Sequence, residues 1–231
     1  MIKILNFSNF INKDKKLSLN NINILIKNNK VRFLFNNNYH LIYQVIKNEN
    51  KIFNNKKFNI ILNNDIFKLL EILLNKISNS LKISLFKKYI KIKIKNIKII
   101  SKIKKQNYFL IKCFKKKYKN YLFLKKEKLK KILDYFKSFL KINDEELLFE
   151  INKNSLIIKK KIKKNLIFKS IKIIYNGENI KFFINGLNLI NFLKINYIND
   201  LILNFSKKKN LVITIPQIKG FKYVITTLKV N

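Results

Sequence analysis

Hydrophobic and polar residues alternate with a period of two along most of this chain. In the clearest case, residues 89–95, Ile90, Ile92 and Ile94 share one face and lysines share the other. Such alternation is typical of a half-buried antiparallel strand. Similar patterns predict strands near residues 31–35, 41–46, 58–62, 81–86, 97–103, 108–114, 147–151, 156–160, 167–175, 180–184, 201–205, 211–215 and 221–230.

A helical period appears in three segments, 65–77, 126–140 and 187–195. Asp65 is positioned to cap the first helix. In the second, one face is apolar and carries Leu129, Ile132, Leu133, Phe136 and Leu140. The opposite face of each helix is polar, as expected for a helix that packs on a sheet.

The order of these elements repeats along the chain. A strand leads through Asn63 into the helix at 65–77, and another leads through Asn185 into the helix at 187–195. Each helix is followed by further short strands, so two similar modules in tandem are the simplest interpretation. The basic segment 115–120 suits a linker, which predicts an α+β chain with modules at 1–118 and 119–231.

The composition is strongly biased toward Lys, Asn, Ile, Phe, Leu and Tyr. The 231 residues include three glycines and one proline, and the formal net charge is +39. The favoured residues have A/T-rich codons, which indicates an A/T-rich genome. The charge therefore has two open explanations, a phosphate-rich partner or codon drift. Because 48% of residues are hydrophobic, the chain can nevertheless bury a core.

Little in the sequence favours catalysis. The lone Cys113 excludes an internal disulfide and a multi-cysteine metal site, and the lone His40 disfavours a Ser-His-Asp centre. Asp144, Glu145 and Glu146 are adjacent and are interpreted as a turn. A non-catalytic protein without a metal or cofactor is therefore expected. With no apolar run of about 18 residues and no signal peptide, no membrane association and a cytoplasmic location are expected.

Several segments resemble the bacterial beta sliding clamp, the processivity subunit of DNA polymerase III. YLFLKKEKLKKIL at 121–133 is similar to the strand and first helix of the family's third domain, and EINKNSLII at 150–158 to the strand pair that follows. YNGENIKFFINGLNLINFL at 175–193 and KYVITTLKV at 222–230 are similar to its later segments. In the first half, LNN at 19–21 and NNNYHL at 36–41 are similar to motifs of the second domain.

The resemblance implies tandem DNA-clamp modules with outer antiparallel sheets and helices on the inner face. The two modules resemble domains two and three, the first with its N-terminus clipped. The family encircles double-stranded DNA, is opened by a clamp loader and binds the catalytic subunit of the replicative polymerase. Because a family ring contains six modules, a two-module chain is expected to assemble as a homotrimer closed by edge-strand pairing.

The resemblance also implies two sites. Polymerase and loader peptides bind in an apolar channel between domains two and three, which maps onto Leu19, Asn36, His40, Leu41, Asn185, Val224, Thr226, Thr227 and Leu228. Thr226 and Thr227 replace the family's Met-Pro, and Asn188 replaces its gating Tyr. Helices that line the hole would present Lys68, Lys126, Lys130, Lys137, Lys141 and Lys194 to DNA.

The residues of both sites also have a purely structural interpretation. Leu41 and Leu228 are also explained as core residues of strands, and the lysines as the solvated face of helices in a lysine-rich protein. The alternative function is a basic nucleic-acid- or ribosome-associated protein that forms no ring. Aromatic residues interleaved with lysine also suggest a single-strand surface, although most Phe residues fall on predicted apolar faces.

Overall fold

The computed structural model describes residues 22–27, 30–36, 40–47, 58–62, 66, 69–70, 72–73, 82–86, 88–102, 118, 120–141, 144–195, 198–205 and 210–228. The chain divides into two compact units, Met1–Lys112 and Cys113–Asn231. The predicted strand at 108–114, Asp65 and Cys113 lie outside the described residues.

The first unit is built from antiparallel strands. In chain order these are β1 (Ile22–Lys27), β2 (Lys30–Asn36), β3 (His40–Lys47), β4 (Phe58–Leu62), β5 (Lys82–Leu85), β6 (Tyr89–Ile94) and β7 (Ile97–Lys102). Four are neighbours in the order β4-β1-β2-β3, and the other three form a separate sheet in the order β5-β6-β7. Residues 66, 69–70 and 72–73 are helical, as predicted for the segment after β4.

Among its described residues, the second unit contains two helices and eight strands. In chain order these are β8 (Asn120–Lys125), α1 (Lys126–Lys137), β9 (Glu146–Ile151), β10 (Ser155–Ile162), β11 (Asn165–Lys172), β12 (Ile180–Asn185), α2 (Gly186–Leu193), β13 (Asp200–Phe205), β14 (Asn210–Thr214) and β15 (Phe221–Thr226). The strands are ordered β12-β9-β10-β11 in one sheet and β8-β13-β14-β15 in the other. A bridge between Phe183 of β12 and Leu228, two residues beyond β15, links the two sheets.

The two units share one plan. The order β4-β1-β2-β3 in the first matches β12-β9-β10-β11 in the second, and β5-β6-β7 matches β13-β14-β15. In the first unit helical residues follow β4, and in the second unit helix α2 follows the equivalent strand β12. The predicted α+β class with repeated modules is thereby confirmed.

The core of the second unit lies under α1 and α2, which pack against each other. Leu129, Leu133 and Phe136 of α1 are fully buried, as the helical period predicts. On α2, the ring of Phe192 stacks on Tyr223 of β15 with centroids 4.3 Å apart. Complete burial raises the pKa of the Tyr223 phenol.

One strand departs from the sequence prediction. No strand is predicted at 22–27, yet β1 lies there between β2 and β4. Ile24 and Leu25 are adjacent in sequence and point to opposite faces, but both are buried. A strand covered on both faces shows no clean alternation of polar and apolar residues, which explains the omission.

Candidate DNA-contacting helices and partner-peptide residues

Helix α1 carries three of the six lysines proposed to meet DNA, Lys126, Lys130 and Lys137. It begins directly after the extended residue Lys125, with Glu127 in its first turn and Lys137 in its last. These charges oppose the partial charges of the helix ends and so favour the helix. Burial of one face leaves the other open to solvent.

The lysines on the open side of α1 are accessible to different extents. Lys130 is half-buried, whereas Lys137 and Lys141 are exposed. Lys130 and Lys137 are separated by two helical turns, so they lie on one side of the helix about 10 Å apart. Directly after α2, Lys194 is exposed and donates to Asn191 Oδ1 at 2.9 Å. Lys68 lies outside the described residues.

Lys126 does not belong to this set, which corrects the sequence prediction. The residue is 4% exposed, and its Nζ donates to the backbone carbonyl of Ile195 at 3.0 Å. Burial lowers the pKa of Lys126, an effect opposed by Glu127. Lys126 therefore ties the start of α1 to the end of α2 and is not presented to a ligand.

Four of the residues mapped to the peptide channel lie at or after β15. Val224 and Thr227 are buried, while Thr226 is exposed. Leu228 has a 52% exposed side chain, yet its backbone N–H and C=O each bond to Phe183 at 3.0 Å. A large apolar side chain is thus exposed to solvent on a backbone held by two hydrogen bonds.

Asn185, also mapped to the channel, has a structural role. Its Oδ1 accepts a hydrogen bond from Asn188 N at 2.9 Å, which caps α2. Its amide nitrogen donates to the carboxylate of Glu145. An Asn between a strand and a helical period is a recognisable capping signal, so this role was detectable in the sequence.

A buried lysine holds the acidic turn in place. Lys160, 4% exposed, donates to the backbone carbonyls of Asp144 at 3.0 Å and Glu146 at 3.1 Å, and also to the Asp144 carboxylate. Gly186 N donates to Glu145 O at 2.7 Å and joins the turn to the start of α2. Lys160 was not among the predicted site residues, because a lysine on a strand is expected to face solvent.

The first unit carries the remaining mapped channel residues. Leu41 is buried on β3, and its Cα partner across the sheet is Asn36 on β2. His40 is the first residue of β3. Leu19 lies outside the described residues.

In the described part of the chain, no group of three or more His, Cys, Asp or Glu side chains is arranged to hold a metal ion. No helix among these residues has the length and apolar character needed to cross a bilayer.

Comparison with known proteins identifies the fold. No protein-family model matches the sequence, and no curated protein matches it. Among solved structures, the DNA polymerase sliding clamp of Pseudomonas aeruginosa superposes with a TM-score of 0.84 at 12% identity, over 99% of this chain and 64% of that one. The DNA polymerase sliding clamp of Bacillus subtilis gives 0.83 at 12% identity, over 100% and 62%, and the DNA polymerase III beta subunit of Thermotoga maritima gives 0.82 at 13%, over 99% and 64%. The chain therefore has the fold of the bacterial DNA sliding clamp, the beta subunit of DNA polymerase III, and spans less than two thirds of the length of the clamps it matches.

Proposed function

We propose that this protein is a shortened DNA sliding clamp, which encircles duplex DNA and holds the replicative polymerase on it. The observation that carries this proposal is a fold match over 99% of the chain to clamps of DNA polymerase. Its modules are taken as counterparts of the family's second and third domains. A protein of this kind acts by binding and catalyses no reaction.

The DNA-facing surface is proposed to be the lysine side of α1, with Lys194 beyond α2. Lys130 and Lys137 offer ammonium groups on the helix, and Lys141 offers one four residues beyond its end. Such groups attract phosphates without reading base edges, which suits a protein that must slide. Lys126 is excluded from this surface because of its burial.

Ring closure is proposed to use the edge strand β11. This strand lies at one end of the β12-β9-β10-β11 sheet and carries Leu166 and Phe168, which are 57% and 61% exposed. An open edge with exposed apolar side chains invites pairing with another strand. Three two-module chains joined head to tail would supply the six modules of a ring.

Partner peptides are proposed to anchor beside Leu228, with Val224 and Thr227 in the supporting wall. The partners would be the polymerase catalytic subunit and the clamp loader, which would compete for one site. The support for this proposal is an exposed apolar side chain whose backbone is held by Phe183.

The second candidate is a basic nucleic-acid- or ribosome-associated protein without a ring, favoured by the net charge of +39. Solution mass separates the two proposals. Light scattering at moderate salt without DNA should give the mass of three 27.8 kDa chains if the protein forms the proposed ring. A monomer at all accessible concentrations would favour the second candidate.

A further inference from the structure

The sheet β5-β6-β7 has one strongly basic face. Ile90, Ile92 and Ile94 are buried on one side of β6, so the alternate residues of the sheet point the other way. That opposite side is here called the lysine face. It carries Lys82, Lys91, Lys93, Lys98 and Lys102.

Three of these lysines form a row across all three strands. Lys82 is the register partner of Lys93, and Lys93 is the register partner of Lys98. Directly opposed residues have their Cβ atoms about 5 Å apart, and like charges at that spacing destabilise a sheet. A row of three is therefore an arrangement that a negatively charged ligand would stabilise.

Nothing described on the lysine face offsets this charge. The three strands contain no Asp or Glu, and none of the ion pairs among the described residues involves these lysines. The sheet of the second unit shows the contrast. There Glu150 on β9 lies 2.7 Å from Lys159 and 3.3 Å from Lys181, so these two lysines share one carboxylate.

Aromatic and apolar groups adjoin the lysines. Tyr89, the register partner of Lys102, stacks on Phe86 with ring centroids 4.4 Å apart and planes 15° apart. The two rings are 37% and 44% exposed. Ile100, the register partner of Lys91, is 65% exposed in the middle of the face. Flat, preordered rings lie on the same face as the row of cations, about 13 Å along β6 from Lys93. This arrangement matches the chemistry of unpaired bases on a phosphate backbone.

We propose that the lysine face binds single-stranded nucleic acid, with phosphates at the Lys82–Lys93–Lys98 row and a base stacked on the Phe86–Tyr89 pair. A duplex is disfavoured because its bases stack on each other and offer no free face to the rings. An acidic protein would use the lysines but gain little from the rings. The site lies on a sheet of the first unit and is separate from the helix lysines proposed for duplex DNA.

The proposal predicts that the charge of the lysines and the stacking on Tyr89 contribute separately to binding. Both are measured with the full-length protein by the fluorescence anisotropy of labelled oligothymidine over a series of salt concentrations. The variant with Lys82→Gln, Lys93→Gln and Lys98→Gln should bind more weakly, with a slope of log affinity against log salt reduced by about 2. Tyr89→Ser should weaken binding about tenfold through lost stacking, with the salt slope unchanged.

A charge-matched control separates this site from general attraction. The variant with Lys153→Gln, Lys161→Gln and Lys219→Gln removes three exposed lysines of the second unit. If the lysine face is the binding site, the affinity of this variant should stay within about twofold of the parent at moderate salt, because screening weakens the effect of charges that do not contact the ligand. Binding of an equally long duplex should also change less than about twofold in the Tyr89→Ser variant, because paired bases do not stack on the ring.

Two results would overturn the proposal. Equal losses in the two triple variants would mean that binding follows net charge. An unchanged affinity in Tyr89→Ser would exclude base stacking. The ligand of the lysine row would then be another polyanion, such as an acidic protein. The single change Lys93→Gln, at the centre of the row, repeats the test with little risk to folding, and thermal unfolding verifies that each variant is folded.

Discussion

The carboxylate of Glu150 on β9 lies 2.7 Å from the ammonium of Lys159 on the neighbouring strand β10. The same carboxylate lies 3.3 Å from Lys181, so one Glu bridges the lysines of two neighbouring strands. The hydrogen bond from Lys159 is the main cause that holds the pKa of Glu150 below its ordinary value of 4.5, against the opposing effect of burial. Glu150 therefore stabilises the fold mainly when it is ionised.

Glu150→Gln should lower the free energy of unfolding at pH 7 by about 1 kcal/mol, because the partly buried ion pairs are lost. A lowered folded-state pKa gives stability that is present above pH 4.5 and lost as pH falls through the folded value. Urea unfolding of both proteins at neutral and acidic pH measures this. The difference between them should shrink below pH 4.5, and a constant difference would contradict an ionic origin.

Lys130→Gln combined with Lys137→Gln should weaken binding to duplex DNA. If each lysine contacts one phosphate, the slope of log affinity against log salt should fall by about 2. The matched control is Lys153→Gln with Lys219→Gln, which removes two exposed lysines away from α1. A duplex titration by anisotropy compares them, and identical salt slopes in both variants would remove α1 from the DNA surface.

Leu228→Asp should abolish binding of a peptide copied from the polymerase catalytic subunit, because a charge would replace an apolar anchor. The 52% exposed side chain allows this change at little cost to stability. Leu41 also maps to the channel, but Leu41→Asp is unsuitable for this test. Leu41 is buried, and a charge there would destabilise the unit. Ile174→Asp, at an 89% exposed site, is the control. Calorimetric titration with unchanged affinity in Leu228→Asp would exclude the proposed anchor.

Leu166→Asp with Phe168→Asp should convert the assembled protein into monomers, because carboxylates would be placed on the β11 edge proposed to pair with another copy. Lys219→Asp introduces the same carboxylate at an exposed residue outside the edge strands and should leave the assembly intact. Light scattering reports the masses. An unaltered assembly in the β11 variant would show that the copies meet elsewhere.

Much of the fold was predictable from local pattern. The alternation at residues 89–95 correctly predicted strand β6 with Ile90, Ile92 and Ile94 buried. The helical period at 126–140 correctly predicted the buried face of α1. Each element has one solvent-exposed face and one buried face, so the spacing of apolar residues predicts which side chains are buried. β1 was missed because Ile24 and Leu25 are buried on opposite faces.

The candidate sites were less predictable, because they depend on partners distant in sequence. Lys126 looks like a surface lysine until the carbonyl of Ile195, 69 residues later, is seen to accept from it. Lys160 is hidden by contacts with Asp144 and Glu146. Phe168 falls in a predicted strand and is 61% exposed, because β11 is the edge of its sheet and only the topology reveals that.

Topological linkage to DNA tests the central proposal most directly. The protein is bound to linear duplexes at low salt, and the ends of half of them are then blocked with bulky protein. All are washed at a salt concentration that removes electrostatically held protein. A closed ring predicts retention on blocked duplexes and loss from free-ended ones, since release then requires sliding off an end. Equal loss from both would contradict encirclement and leave a basic DNA-binding protein with a clamp fold.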